Sequence, residues 1–92
     1  MSKSVFSSEL ETLDQLLGGD LVLTVVRSFY ESDDKFKAGV RGLVRDRCAI
    51  LIHDGCSVPE WKVAEILRQP ITPEILSQYA LSITDSGVSR VS

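Results

Sequence analysis

The sequence predicts an all-α domain, a compact bundle of about five helices, on three observations. Apolar residues recur at helical spacing through most of the chain. Capping signals open the segments: Ser8 with Glu11, Ser57 with Glu60, and Thr72 followed by Pro73. Glycine or proline closes them, at Gly18-Gly19, at Gly55 and at Pro70. The alternative is a small α+β domain, because the runs at 21–26 and 48–52 are short, apolar and partly β-branched.

Taken in order, the first helix starts at Ser8 and carries Leu10, Leu13 and Leu17 on one side, with Glu9, Glu11 and Asp14 on its outer face. Asp20 caps a second helix containing Leu21, Val22, Leu23, Val25, Val26, Phe29 and Tyr30. It is apolar nearly all round, which places it at the centre of the bundle. After the polar break Glu31-Ser32-Asp33-Asp34, the residues Phe36, Val40, Leu43, Val44, Cys48, Leu51 and Ile52 keep one helical phase. That stripe predicts a single long helix ending at Asp54-Gly55. Gly39 and Gly42 either weaken it, by about 1 kcal/mol each where exposed, or permit close packing. The fourth helix covers 58–68 and ends before Pro70, and the fifth covers 73–83. The whole chain, 1–92, reads as one domain, with 1–7 and 88–92 as flexible ends.

With 43% hydrophobic and 25% charged residues the chain has the balance of an ordinary globular domain. Ten Lys and Arg against thirteen Asp and Glu leave a net charge of −3, which supplies no general attraction to nucleic acid or to an anionic membrane. No secretion signal, no membrane span and two cysteines predict a cytoplasmic protein with reduced thiols, in a bacterial or phage-infected cell.

Chemistry should concentrate in the turn from Leu51 to Trp61, which holds the sole His and Trp and one of the two Cys residues. Cys48, His53 and Cys56, with Asp54, are the residue types of a zinc site, but their C-x4-H-x2-C spacing lacks the paired clamps of such sites. Nor do Cys56 and His53 come with an orienting group or an oxyanion site. No phosphate-binding glycine loop or nucleophile elbow is present. The sequence therefore predicts no enzyme, no metal and no cofactor.

Leu10 to Val44, with Leu-Leu-Gly-Gly-Asp at 16–20, resembles the opening helices of histidine-phosphotransfer domains. That resemblance implies a phospho-accepting His53 on the next helix. The chain departs from the family at Cys56 and Ser57, where a Lys and a Gly are usual, so phosphoryl stabilisation would be impaired. The short helices at 58–68 and 73–83 have the lengths of a helix-turn-helix. Tyr79 to Gly87 resembles the final strand segment of winged-helix regulators, which gives the α+β alternative a winged-helix-like form.

Two functions follow. The first is a small regulatory or adaptor protein that binds another protein, with Lys37, Arg41 and Arg45 as a basic docking stripe and Trp61 as anchor. Its partner would be an acidic protein or the acidic first helix of a second copy, making a homodimer, with no membrane involved. The second is a DNA-binding transcriptional regulator with Ser77, Gln78 and Ser82 as base contacts. A recognition helix at 73–83 would have no Lys or Arg to hold phosphates. Histidine phosphotransfer is the third reading. The bland alternatives are a solvated charged face for the stripe and a ring covering a helix junction for Trp61.

Overall fold

The structure is a computed structural model that describes residues 8–91. Its elements are α1 (Ser8–Leu16), β1 (Leu21–Val22), α2 (Leu23–Arg27), α3 (Asp33–Arg45), β2 (Ala49–His53), β3 (Cys56–Val58), α4 (Glu60–Arg68), α5 (Pro73–Gln78), β4 (Ala80–Ile83) and α6 (Asp85–Val91). The expectation of an all-α bundle is overturned. Among the described residues, six helices accompany a four-stranded antiparallel sheet, so the domain is mixed α+β. No helix among them is long and apolar enough to cross a membrane. Residues 1–7, expected as a flexible end, lie outside the described residues. Residues 88–91, expected to fray, belong to α6.

The sheet runs β1-β4-β2-β3, with the last strand in sequence inserted between the first two. Its register puts Leu21, Leu81, Leu51 and Val58 in one cross-strand row, and Ala49 opposite Ile83. Leu51, Leu81 and Ala49 are completely buried on this face, against α1, α2, α3 and α6. The other face carries Val22, Ala80, Ile52 and Ser57 in the next row, then Ile50 beside Ser82. Val22 and Ile50 are exposed there. Two-layer packing of this kind buries one sheet face under helices.

The predicted long third helix is two elements. Ser32 caps α3, its hydroxyl accepting the Lys35 N–H at 3.2 Å, and Asp33 and Asp34 occupy the favourable first turn. The helix ends in a Schellman motif. Cys48 N–H donates to Leu43 C=O at 2.9 Å, Arg47 N–H donates to Val44 C=O at 3.0 Å, and Arg47 is left-handed at φ 63°. The chain then enters β2 and turns back through Asp54 and Gly55, both at positive φ, as a tight two-residue hairpin. Two predicted caps are also corrected. Ser57 lies in β3 and α4 starts from Pro59, while α2 starts from Val22, not Asp20; neither start has a side-chain cap. Thr72 does cap α5, accepting the Ile75 N–H at 3.2 Å. That helix stops at Gln78, because Tyr79 is already extended (φ −122°, ψ 152°), so the helix predicted over 73–83 is α5 followed by β4.

β4 and α6 lock the α3–β2 junction. The Thr84 N–H donates to Cys48 C=O at 3.0 Å and its hydroxyl donates to Arg47 C=O. The same hydroxyl accepts the Gly87 N–H at 3.1 Å. Gly87 sits so near the junction that a Cβ there would fall 2.1 Å from the Cys48 carbonyl oxygen. Gly39 makes a similar approach to Tyr30, where a Cβ would fall 2.4 Å from the ring. Gly42 has open space, with only the end of Arg45 at 4.0 Å. Gly87→Ala and Gly39→Ala are therefore expected to destabilise by about 1–3 kcal/mol each, through overpacking. Gly42→Ala should be neutral or stabilise by up to about 1 kcal/mol, through helix propensity. Urea unfolding of the three variants checks this contrast.

Tyr30 is buried, packs edge-on against Phe36 at 5.9 Å, and shares a 3.2 Å hydrogen bond with the Thr12 hydroxyl. Burial pushes the phenol pKa up from 10.0; the Thr12 bond opposes this, and the carboxylates of Glu9 and Glu11 add to it. The folded state thus holds this proton more tightly than the unfolded state. The resulting stabilisation is complete below pH 10.0 and is lost as pH rises through the folded pKa. Urea midpoints measured across that range should fall faster with pH for wild type than for Tyr30→Phe.

Candidate functional site

α3 and α4 lie side by side and leave a groove of about 480 Å³ between them. Its depth has a local cause. Where the helices face each other, α3 presents Ala38 and Gly42, and α4 presents Ala64 and the buried Leu67. Small residues at facing positions leave a trough where larger ones would interdigitate. Both helices point their larger apolar residues elsewhere: Phe36, Val40, Leu43 and Val44 on α3, and Val63 and Ile66 on α4, are core.

Charge surrounds this apolar floor. Lys37, Arg41 and Arg45 line it from α3 and Arg68 from the last turn of α4, with Asp34 and Glu60 also present. Four cations against two carboxylates make the groove locally +2 in a chain whose net charge is −3. Arg45 is 3.6 Å from Asp46. Among the described residues, Lys37, Arg41 and Arg68 make no ion pair, whereas Arg27 is paired with Asp33, Lys35 with Glu31 and Arg90 with Asp46. Three of the four groove cations thus have no carboxylate partner among the described residues.

Trp61 is 69% exposed on the first turn of α4. With Ala64 and Arg68, which line the groove, it falls at i, i+3 and i+7, one stripe along that helix, although Trp61 itself is not part of the lining. The structure therefore brings Lys37, Arg41 and Arg45 together along one groove, while Trp61 stands largely exposed on the neighbouring helix. Arg68 was missed in the sequence; its spacing from Trp61 and Ala64 was the available signal.

The remaining candidates are scattered. Ser77 and Gln78 end α5, while Ser82 is in β4 on the sheet face that bears Ile50, so the three do not share a recognition helix. Cys48 is buried at the start of β2, 3.6 Å from an Arg90 nitrogen. His53 and Cys56 pair across the hairpin at the other end, about 16 Å away for five extended residues. Both cysteines are free, and no group of three metal-ligating residues occurs among the described residues. His53 lies in a strand, not on a helix as histidine phosphotransfer would require. Its ring stacks on Tyr79 at 4.9 Å, and Asp54 is 3.7 Å away.

No protein-family model, curated protein or solved structure matches this chain.

A rim residue and a floor residue should respond differently to truncation. Trp61→Ala, at an exposed position, is expected to change stability by less than about 0.5 kcal/mol. Leu67→Ala, at a buried one, should cost about 2–5 kcal/mol. Paired urea titrations, followed by circular dichroism because the first variant lacks the chain's Trp, measure both.

Proposed function

We propose that this protein is a small cytoplasmic regulatory or adaptor module, without chemistry of its own, that binds another protein through the α3–α4 groove. The occupant is an acidic segment bearing at least one apolar side chain. The observation that supports this is the combination of an apolar floor, three cations (Lys37, Arg41 and Arg68) without ion pairs among the described residues, and an exposed Trp on the same helix stripe as Ala64 and Arg68. Each part has a separate task. The cations attract and orient the segment over about a Debye length, roughly 10 Å at 0.1 M salt. The floor of Ala38, Gly42, Ala64 and Leu67 takes an apolar side chain out of water. Trp61 closes over it, in the manner of the aromatic anchors that dominate interface energetics.

DNA binding is the second reading, and one observation favours it. α2 and α3 are consecutive, packed together and joined by 28–32, as the helices of a helix-turn-helix are, and the order α1-β1-α2-α3-β2 with β4 between β1 and β2 resembles that of winged-helix domains. β3, α4 and α5 then stand as an insertion between β2 and β4. This reading moves the recognition helix from 73–83 to α3, which does carry cations. Against it, α4 lies along α3, and Asp33 and Asp34 occupy the end of α3 that would enter a major groove about 12 Å wide.

Trp61 is the chain's one Trp, so its emission reports occupancy directly. A synthetic amphipathic peptide with Glu residues along one side and a Leu among them should shift that emission to the blue. Arg41→Glu with Arg45→Glu should weaken the binding by at least about tenfold, equivalent to 1.4 kcal/mol. Equal binding by wild type and the reversed variant, or none at low salt, would remove the reading. A mixed-sequence duplex in a salt series separates the two occupants: binding with log K falling steeply against log salt, and no response to the peptide, would favour DNA.

A further inference from the structure

This inference rests on the groove as a site for an acidic segment. We infer that the segment is α1 of a second copy of this chain. α1 carries Glu9, Glu11 and Asp14 and no Lys or Arg. None of the three carboxylates is ion-paired among the described residues. Glu11 and Asp14 are exposed, and the next residue at that step, Leu17, is 49% exposed just beyond the helix end. One surface thus offers two carboxylates followed by a leucine. The groove offers the complement: Arg41 and Arg45 on one wall, Arg68 on the other, and an apolar floor between them.

The spacings agree. Glu11 and Asp14 are separated by about 4.5 Å of helix rise, and Arg41 and Arg45 by about 6 Å. Two chains of charge −3 repel as wholes, but those charges are spread over the surface, whereas the groove contacts bring opposite charges to contact distance, where their attraction is strongest. Donor helix and acceptor groove are different surfaces, so a single contact would be head-to-tail, whereas a reciprocal pair of contacts is related by a two-fold axis. The pair closes as a dimer when two copies exchange α1 reciprocally.

Sedimentation velocity of the full chain across a concentration series at low ionic strength tests this. Wild type is expected to sediment faster as concentration rises and to revert toward monomer at high salt. Arg41→Glu with Arg45→Glu, and separately Glu11→Lys with Asp14→Lys, should each sediment as monomer. A mixture of these two variants should associate again, because the reversed groove of one accepts the reversed helix of the other. Circular dichroism verifies that each is folded, and Arg41→Gln with Arg45→Gln gives the same loss without a new acidic patch. A monomeric wild type at low salt, or association that ignores all these substitutions, overturns the inference. If the wild type is monomeric while the acidic peptide still shifts Trp61 emission, the groove reading survives and only the second copy is excluded. If the peptide also fails, both fall.

Discussion

Backbone hydrogen bonds close the C-terminus of α3, and the rest of the chain is laid out from them. Arg47 adopts a left-handed conformation that commonly costs a residue with a Cβ about 1–2 kcal/mol. What holds it there is visible on both sides. Cys48 and Arg47 N–H groups are taken up by Leu43 and Val44, and the Arg47 and Cys48 carbonyls are taken up by Thr84. Gly87 then packs directly on the junction. β2 exists because the helix stops here, and the sheet exists because β2 can lie beside β4.

That stop explains why the helices were easier to read than the sheet. Phe36 to Val44 and Cys48 to Ile52 keep one helical phase, yet the second group alternates as a strand, with Ala49 and Leu51 buried and Ile50 exposed. A short apolar run satisfies both periods, and Arg47 is not a residue that announces a left-handed turn. Asp54-Gly55 reads as the end of a long helix when the in-phase stripe precedes it, although the same dipeptide suits a two-residue hairpin turn. The strand at 80–83 was anticipated only in the resemblance of 79–87 to a winged-helix strand. Where caps and apolar spacing agreed, as at Ser32 and Thr72, the helix starts were readable.

The site was legible in its charges and not in its shape. Lys37, Arg41 and Arg45 at four-residue steps imply a basic face on any helix. Only the pairing of α3 with α4 shows that the face borders a trough floored by Ala38, Gly42, Ala64 and Leu67. Gly39 and Gly42, equivalent in sequence, have different roles: one admits the Tyr30 ring and the other keeps the groove floor low. A locally positive trough in an acidic chain discriminates better than a uniformly basic surface, since the surrounding negative charge repels partners that do not fill it.

The position of β4 bears on how the chain is made. The strand that joins β1 to β2 emerges from the ribosome after every other strand. Until it does, Leu51 lacks its Leu81 partner and the α3–β2 junction lacks Thr84 and Gly87. A nascent chain ending before residue 79 has only the β2–β3 hairpin, which pairs residues 51–53 and leaves Ala49 and Ile50 without a partner strand. The C-terminal segment thus completes the sheet, turning a two-stranded hairpin into its four-stranded form and closing the α3–β2 junction.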